Sequence, residues 1–276
     1  MISQHSLKNT QYWIYNDNKK LPVIVMIHGL RGTHHGLDLI AKSLVGYRII
    51  VPDLPGFGES KPLNHEHTLE NYVNWLDNFI LGLNLSKPPI LLGHSFGSII
   101  CASYASVNPK TISKLILVNP IGSPALKGPK LILSQLAIMY YWLGKSLPET
   151  LGDRLLSAKP IVLATSIKLA KTRDKKLRKF IHDQHLQYFS TYENRKTLNE
   201  AFITSTRNNV RDVASEIKTS TLLIAGDLDD ITPLKNQKEL AKIFPKAKIA
   251  IINGVGHLTH YETPDKVAEE IIKFTR

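Results

Sequence analysis

One serine, Ser95, stands between two glycines in the stretch "ILLGHSFGSII", directly after one apolar run and before another. A serine hydroxyl becomes a nucleophile only in company. A base must take its proton, an acid must orient the base, and N–H donors must meet the charge that grows on the attacked carbonyl oxygen. The chain holds candidates for each part. Gly93-His94-Ser95-Phe96-Gly97 fits a nucleophile elbow, a tight turn from strand to helix that lifts the hydroxyl to a helix N-terminus. Three acids, Asp227, Asp229 and Asp230, crowd into "LLIAGDLDDITP", and spacing alone does not choose among them. His257 follows Gly254 and Gly256 in "IINGVGHLTHYETP", with His260 as a competitor three residues on. The turn "HGLRG" can aim a backbone N–H at an oxyanion, and the N–H of Phe96 is the natural second donor.

These groups need a frame that carries them to one place. Apolar runs at 23–29, 47–53, 89–95, 114–120, 220–227 and 247–254 are apolar throughout rather than alternating, so they predict strands covered on both faces. Helical patterns lie between them at 68–83, 96–107, 233–243 and 264–275, the last two opening at Pro233 and Pro264. Strand–helix alternation predicts an α/β protein with a mostly parallel, doubly wound sheet. Ligands of such sheets bind beyond the carboxyl ends of the strands, which is where each candidate group falls. The alternation stops between about 121 and 210. Gly122, Pro124, Gly128 and Pro129 mark the entry to a basic, helical stretch. The expected organisation is a core of residues 1–120 and 211–276 with a helical cap insertion at 121–210.

The order and motifs resemble the α/β-hydrolase fold superfamily along essentially the whole chain. The sequence places serine, acid and histidine in the order this family uses. The family's "G-x-x-D-x-x-x-P" fits Gly226, Asp229 and Pro233, and so selects Asp229. Its "G-x-G-H-x-x-x-x-E-x-P" fits Gly254, Gly256, His257, Glu262 and Pro264. "DLPGFGES" at 53–60 resembles a structural loop of the family. The resemblance implies a triad of Ser95, Asp229 and His257, an oxyanion hole from the N–H groups of Leu30 and Phe96, and a cap after "LVNP". It implies a serine hydrolase of carboxylesterase type, acting on carboxylic esters, lactones or thioesters through an acyl-enzyme. Carbon–carbon bond hydrolases, acyl-homoserine lactonases, aminopeptidases and hydrolase-like receptors share the scaffold and are the alternatives. A serine in place of an aspartate nucleophile argues against haloalkane dehalogenase or epoxide hydrolase chemistry. Ser98 stands where many relatives carry a second glycine.

Composition narrows the partners. Hydrophobic residues are 43% and charged residues 21% of 276, enough for a sizeable core. The single Cys101 forbids an internal disulfide and is expected in packing. No run approaches the roughly 20 apolar residues of a membrane span, and "MISQHSLKNTQYWIYNDNKK" has no secretory leader pattern. A cytoplasmic protein is therefore expected. Of the net charge of +12, residues 121–210 supply +9, from 15 Lys/Arg against 6 Asp/Glu. "KLAKTRDKKLRKF" places Leu and Phe at helical spacing among the cations, so a solvated helix face is the plainest reading. It also hints at an anionic substrate group, or at peripheral contact of the cap with a membrane surface. Nucleic acid is not expected as a partner. No metal is expected, because the pairs His182/His185, His34/His35 and His65/His67 lack a third ligand. No phosphate loop or dinucleotide fingerprint occurs, so no cofactor is expected. Tyr140, Tyr141 and Trp142 are candidates for the substrate pocket or for core packing.

Overall fold

A computed structural model describes residues 2–123 and 131–276. Pro124, Gly128 and Pro129, expected at the entry to the insertion, lie outside these residues. Eight strands form one sheet: β1 (Ile2–Leu7), β2 (Thr10–Tyr15), β3 (Val23–Ile27), β4 (Arg48–Pro52), β5 (Ile90–His94), β6 (Lys114–Val118), β7 (Thr221–Gly226) and β8 (Ala247–Ile252). Their order is β1-β2-β4-β3-β5-β6-β7-β8. β1 pairs with β2, and β2 with β4, antiparallel; every other neighbour is parallel.

The apolar runs become strands because both faces are covered. Ile24 and Met26 of β3 enter one core cluster while Val25 and Ile27 enter the other. β5 splits the same way, with Leu91 on one side and Ile90 and Leu92 on the other. Helices α2 (Leu69–Gly82) and α3 (Phe96–Val107) cover the first face through Leu76, Phe79, Ile99 and Ile100, joined by Leu240 of α9 (Leu234–Ala241). Helices α1 (Asp38–Ser43) and α11 (Pro264–Thr275) cover the second through Ile40, Ala41, Val267 and Ile271. Thr68 caps α2 by accepting from the Asn71 N–H. A four-residue helix, α10 (Thr259–Glu262), precedes α11.

Between β6 and β7 the chain leaves the sheet, and the described residues there form five α-helices: α4 (Leu131–Ser146), α5 (Glu149–Leu156), α6 (Lys159–Leu169), α7 (Lys175–Tyr188) and α8 (Arg195–Arg207). Asp174 and Asn194 cap α7 and α8 with side-chain oxygens. Cross-ties hold these helices down on the sheet's carboxyl-end loops. Glu193 N–H donates to Gly56 O, Gly58 N–H to Thr191 O, and Thr204 Oγ1 to His67 O. Among the described residues, no helix is long and apolar enough to cross a membrane.

The N-terminal hairpin and α1 are absent from the sequence reading. "ISQHSL" is mostly polar and exposed on alternate residues, so it carries no buried-strand pattern. It becomes a strand because β2 offers it an unpaired edge.

Candidate active site

Ser95 links β5 to α3 with φ 52° and ψ −116°, a conformation that is strained for a residue with a side chain. The strain survives because nothing around the turn can give. A Cβ at Gly93 would lie 2.4 Å from Gly97 O, and one at Gly97 would lie 2.3 Å from Ile27 O and 2.7 Å from His28 O. Both glycines are therefore demanded by close main-chain approach. Ser98 has a role that glycine could not fill. Its buried hydroxyl donates to Ser95 O at 2.5 Å and accepts from Ile121 N–H at 3.2 Å, tying the elbow to the chain after β6.

His257 arrives from the loop after β8. Its Nε2 is 2.8 Å from Ser95 Oγ and its Nδ1 is 2.8 Å from Asp229 Oδ2. Asp229 lies on the turn after β7, 4% exposed. Its Oδ1 accepts the N–H groups of Ile231 (2.7 Å) and Thr232 (2.9 Å), and its Oδ2 also accepts Asn119 Nδ2 (2.8 Å) and Thr232 Oγ1 (2.5 Å). Burial pushes this carboxyl up, but the charge of His257 and the bonds from His257 and Thr232 outweigh it and hold Asp229 below the usual carboxylate range. An ionised Asp229 accepts from Nδ1–H, which leaves Nε2 free to accept the serine proton. The structure thus joins Ser95, His257 and Asp229 in one hydrogen-bonded line. Asp227 instead accepts from Gly254 N–H at 2.7 Å, and Asp230 pairs with Lys171 at the surface. His260 does not reach the serine; its ring packs 4.1 Å from His94, centroid to centroid.

The turn after β3 lies against the elbow, since a Cβ on Gly29 would stand 3.2 Å from Ser95 Cβ. Leu30 N–H and Phe96 N–H have no acceptor among the described residues. The "DLPGFGES" loop props this turn from behind. His28 Nδ1–H donates to Gly29 O at 2.8 Å, and its Nε2 accepts Leu54 N–H at 2.9 Å. Buried Asp53 accepts from His34 N–H (2.6 Å) and Glu59 N–H (2.9 Å). A Cβ at Gly58 (φ 57°) would fall 2.0 Å from Asp53 Oδ2, so the loop needs glycine there.

Ser95 opens into a cavity of about 600 Å³ roofed by the inserted helices, with Ala137, Ile161, Val162 and Phe202 among its apolar walls. Tyr140 and Tyr141 line it, and Tyr141 also packs in the core cluster. Trp142 does not line the cavity. It is 60% exposed on the outer side of α4, because one helical step of about 100° carries it away from the wall that Tyr141 faces. The pair His182 and His185 shares one partner, Ser166 Oγ, at 2.7 Å from each Nδ1. Burial holds His94 down at about 3 and His185 at about 4, and pushes His28 and His260 down as well, so these four imidazoles are neutral near pH 7.

Asn119 escaped the sequence reading, and Glu262 entered it only as a motif position without a role. Asn119, with φ 46°, takes a left-handed turn that Asn tolerates, and bridges Asp229, Gly256 O and Thr259. The recognisable cue was only its place directly after a strand. Glu262 accepts from Gly256 N–H at 3.2 Å and from Lys171 N–H at 2.6 Å, joining the histidine loop to the segment between α6 and α7.

A parallel sheet with an antiparallel edge, a strained serine at the β5–α3 turn, and acid and histidine after β7 and β8 together define a hydrolase architecture. The model of the alpha/beta hydrolase fold family matches residues 22–264, and the chain belongs to that family. Among its relatives is lipase 1 of Psychrobacter immobilis, 24% identical across 99% of this chain and 83% of that protein. Lipase 3 of Moraxella sp. (strain TA144) is 25% identical across 94% of this chain and 79% of its own length. A thermophilic esterase from Thermogutta terrifontis superposes with a TM-score of 0.76 at 19% identity, covering 100% of this chain and 98% of that one.

Proposed function

We propose that the protein is a serine hydrolase that cleaves carboxylic esters through an acyl-enzyme, with residues 121–210 serving as the cap over its site. The observation that carries the proposal is the unbroken Ser95–His257–Asp229 line beneath a largely apolar cavity. The lipase names among its relatives support the same reaction class.

In the reaction, Ser95 Oγ adds to the ester carbonyl carbon as its proton passes to His257 Nε2. The imidazolium formed is stabilised by Asp229, which stays ionised under its five hydrogen bonds. The N–H groups of Leu30 and Phe96 receive the oxyanion, and losing one such donor typically costs about 3–4 kcal/mol. Collapse expels the alcohol, which takes the proton from His257 Nε2. Water then enters, gives a proton to His257, and adds to the acyl carbon; Ser95 departs reprotonated and the acid is released.

The test is turnover of p-nitrophenyl esters, lactones and diketones by wild type and Ser95→Ala. Ester turnover with an acyl-enzyme visible by mass spectrometry, both lost in Ser95→Ala, is the expected result. Ester turnover that persists in Ser95→Ala would remove the serine from the mechanism. Diketone cleavage without ester cleavage would move the reaction to carbon–carbon bonds.

A further inference from the structure

Arg31 lines the cavity, and the proposed mechanism leaves its charge without a task. It lines the same cavity as Ser95 and His257 and follows Leu30 directly. It is 4% exposed. Among the described residues no other Lys or Arg, and no Asp or Glu, lines the cavity. Its Nε donates to Phe189 O at 2.9 Å, and its Nη2 to Leu156 O at 2.7 Å and Ser190 Oγ at 3.3 Å. The guanidinium carbon sits 4.6 Å from the Phe189 ring centroid, and the phenols of Tyr140 and Tyr141 stand against the cation. None of these partners carries a negative charge, and no carboxylate pairs with Arg31 among the described residues.

A buried cation without a counter-ion is expensive, at several kcal/mol after relaxation. Guanidinium does not escape by losing its proton. Its backbone adds to the cost, since φ is 59° in a turn where Gly32 N–H returns to Gly29 O. A mere strut between turn and inserted helices would work with a neutral donor. The four buried histidines nearby are neutral, so they add no positive charge to that of Arg31 and supply no counter-ion for it.

We infer that Arg31, with Tyr140 and Tyr141 beside it, is a recognition site for a carboxylate on the substrate, so that the preferred esters are anionic. The inference rests on the ester reading for its substrate class. Guanidinium is the side chain best matched to a carboxylate, and the bonds to Phe189 O, Leu156 O and Ser190 Oγ use only part of its five N–H donors. The Tyr140 hydroxyl donates to Leu155 O at 3.2 Å and Leu156 O at 3.0 Å, which fixes this phenol in the wall beside Arg31.

The experiment measures kcat/KM for pairs of esters that differ only in a carboxylate or its primary amide. One series carries the carboxylate on the acyl part (half-esters of four- to eight-carbon diacids), the other on the alcohol part (esters of ω-hydroxy acids). Wild type, Arg31→Met and Arg31→Lys are compared. The expected result is a charged-to-neutral ratio above one in wild type for one series. That ratio falls at least tenfold in Arg31→Met and is partly kept in Arg31→Lys. Because each ratio is internal to one variant, any loosening of the inserted helices cancels. Equal loss on both members of a pair, or a wild type that prefers the amide in both series, makes Arg31 a strut and overturns the inference. Calorimetric binding of glutarate, adipate and suberate to wild type and Arg31→Met supplies a readout without turnover. If no ester is hydrolysed but a dicarboxylate binds to wild type and not to Arg31→Met, the ester reading fails and the carboxylate site stands. If no dicarboxylate binds and no ratio shifts, the site falls.

Discussion

Lowering the pH from 7.5 to 5.5 should strip this protein of about 4 kcal/mol of stability through three imidazoles that burial keeps neutral. Burial holds His94 at about 3, and His67 and His185 at about 4, and each of the three is under 10% exposed. In the unfolded chain each protonates near pH 6.5, so below that value the unfolded state binds more protons than the folded one. Stability is therefore full above about pH 6.5 and falls as pH drops towards the folded values. One unit below 6.5 each imidazole contributes a loss of about 1.4 kcal/mol, or about 4 kcal/mol for three, a large part of an ordinary 5–15 kcal/mol. His28 and His260, also pushed down by burial, add in the same direction. Asp229 is held low and acts only below about pH 4, outside the window. Urea unfolding at the two pH values gives the change directly. His94→Asn and His67→Gln should each shrink it by about 1.4 kcal/mol, whatever they do to absolute stability, because the double difference isolates one imidazole. A wild-type change below about 1 kcal/mol, or variants with the wild-type slope, would refute the claim that these rings fold neutral.

Two further outcomes bear on the elbow and its helix. Gly97→Ala puts a methyl 2.3 Å from Ile27 O, a main-chain atom that cannot swing aside, so the elbow must shift by about 1 Å and kcat/KM on p-nitrophenyl butyrate should drop about 100-fold while circular dichroism stays native; a loss under threefold would show that the turn has room. Cys101 is fully buried in α3, and burial pushes its thiol well above the usual range, so Ellman's reagent should titrate no thiol in the native protein and one after denaturation.

Much of the core was legible because its signals are local. The runs at 89–95 and 220–227 contain β5 and β7 within a residue or so, since a strand covered on both faces must be apolar throughout. Helix α3 begins at Phe96 and α11 at Pro264, where the elbow and the proline place them. Ser95 was recognisable from its glycines, whose need is steric and local. Asp229 was not separable from Asp227 and Asp230 by spacing. Family motif favoured it, and the structure shows that only its carboxylate reaches His257. β1 was invisible because a polar edge strand is recruited by its neighbour rather than by its own pattern.

By itself the sequence determined what short-range sterics and burial dictate: the continuous strands, the glycine-walled turn, and which residue types could attack, relay a proton or bind an anion. The tertiary structure alone decided which of them meet. It brought Asn119 under Asp229, turned Tyr141 inward and Trp142 outward on the same helix, and closed Arg31 into a cavity that no acid lines among the described residues. The physical reason is range. A residue's chemistry and its neighbours in sequence are written locally, whereas the partners that join the site come from elements tens of positions away, as for Asp229 and His257, or more than a hundred, as for Asn119 and Asp229 or Arg31 and Leu156.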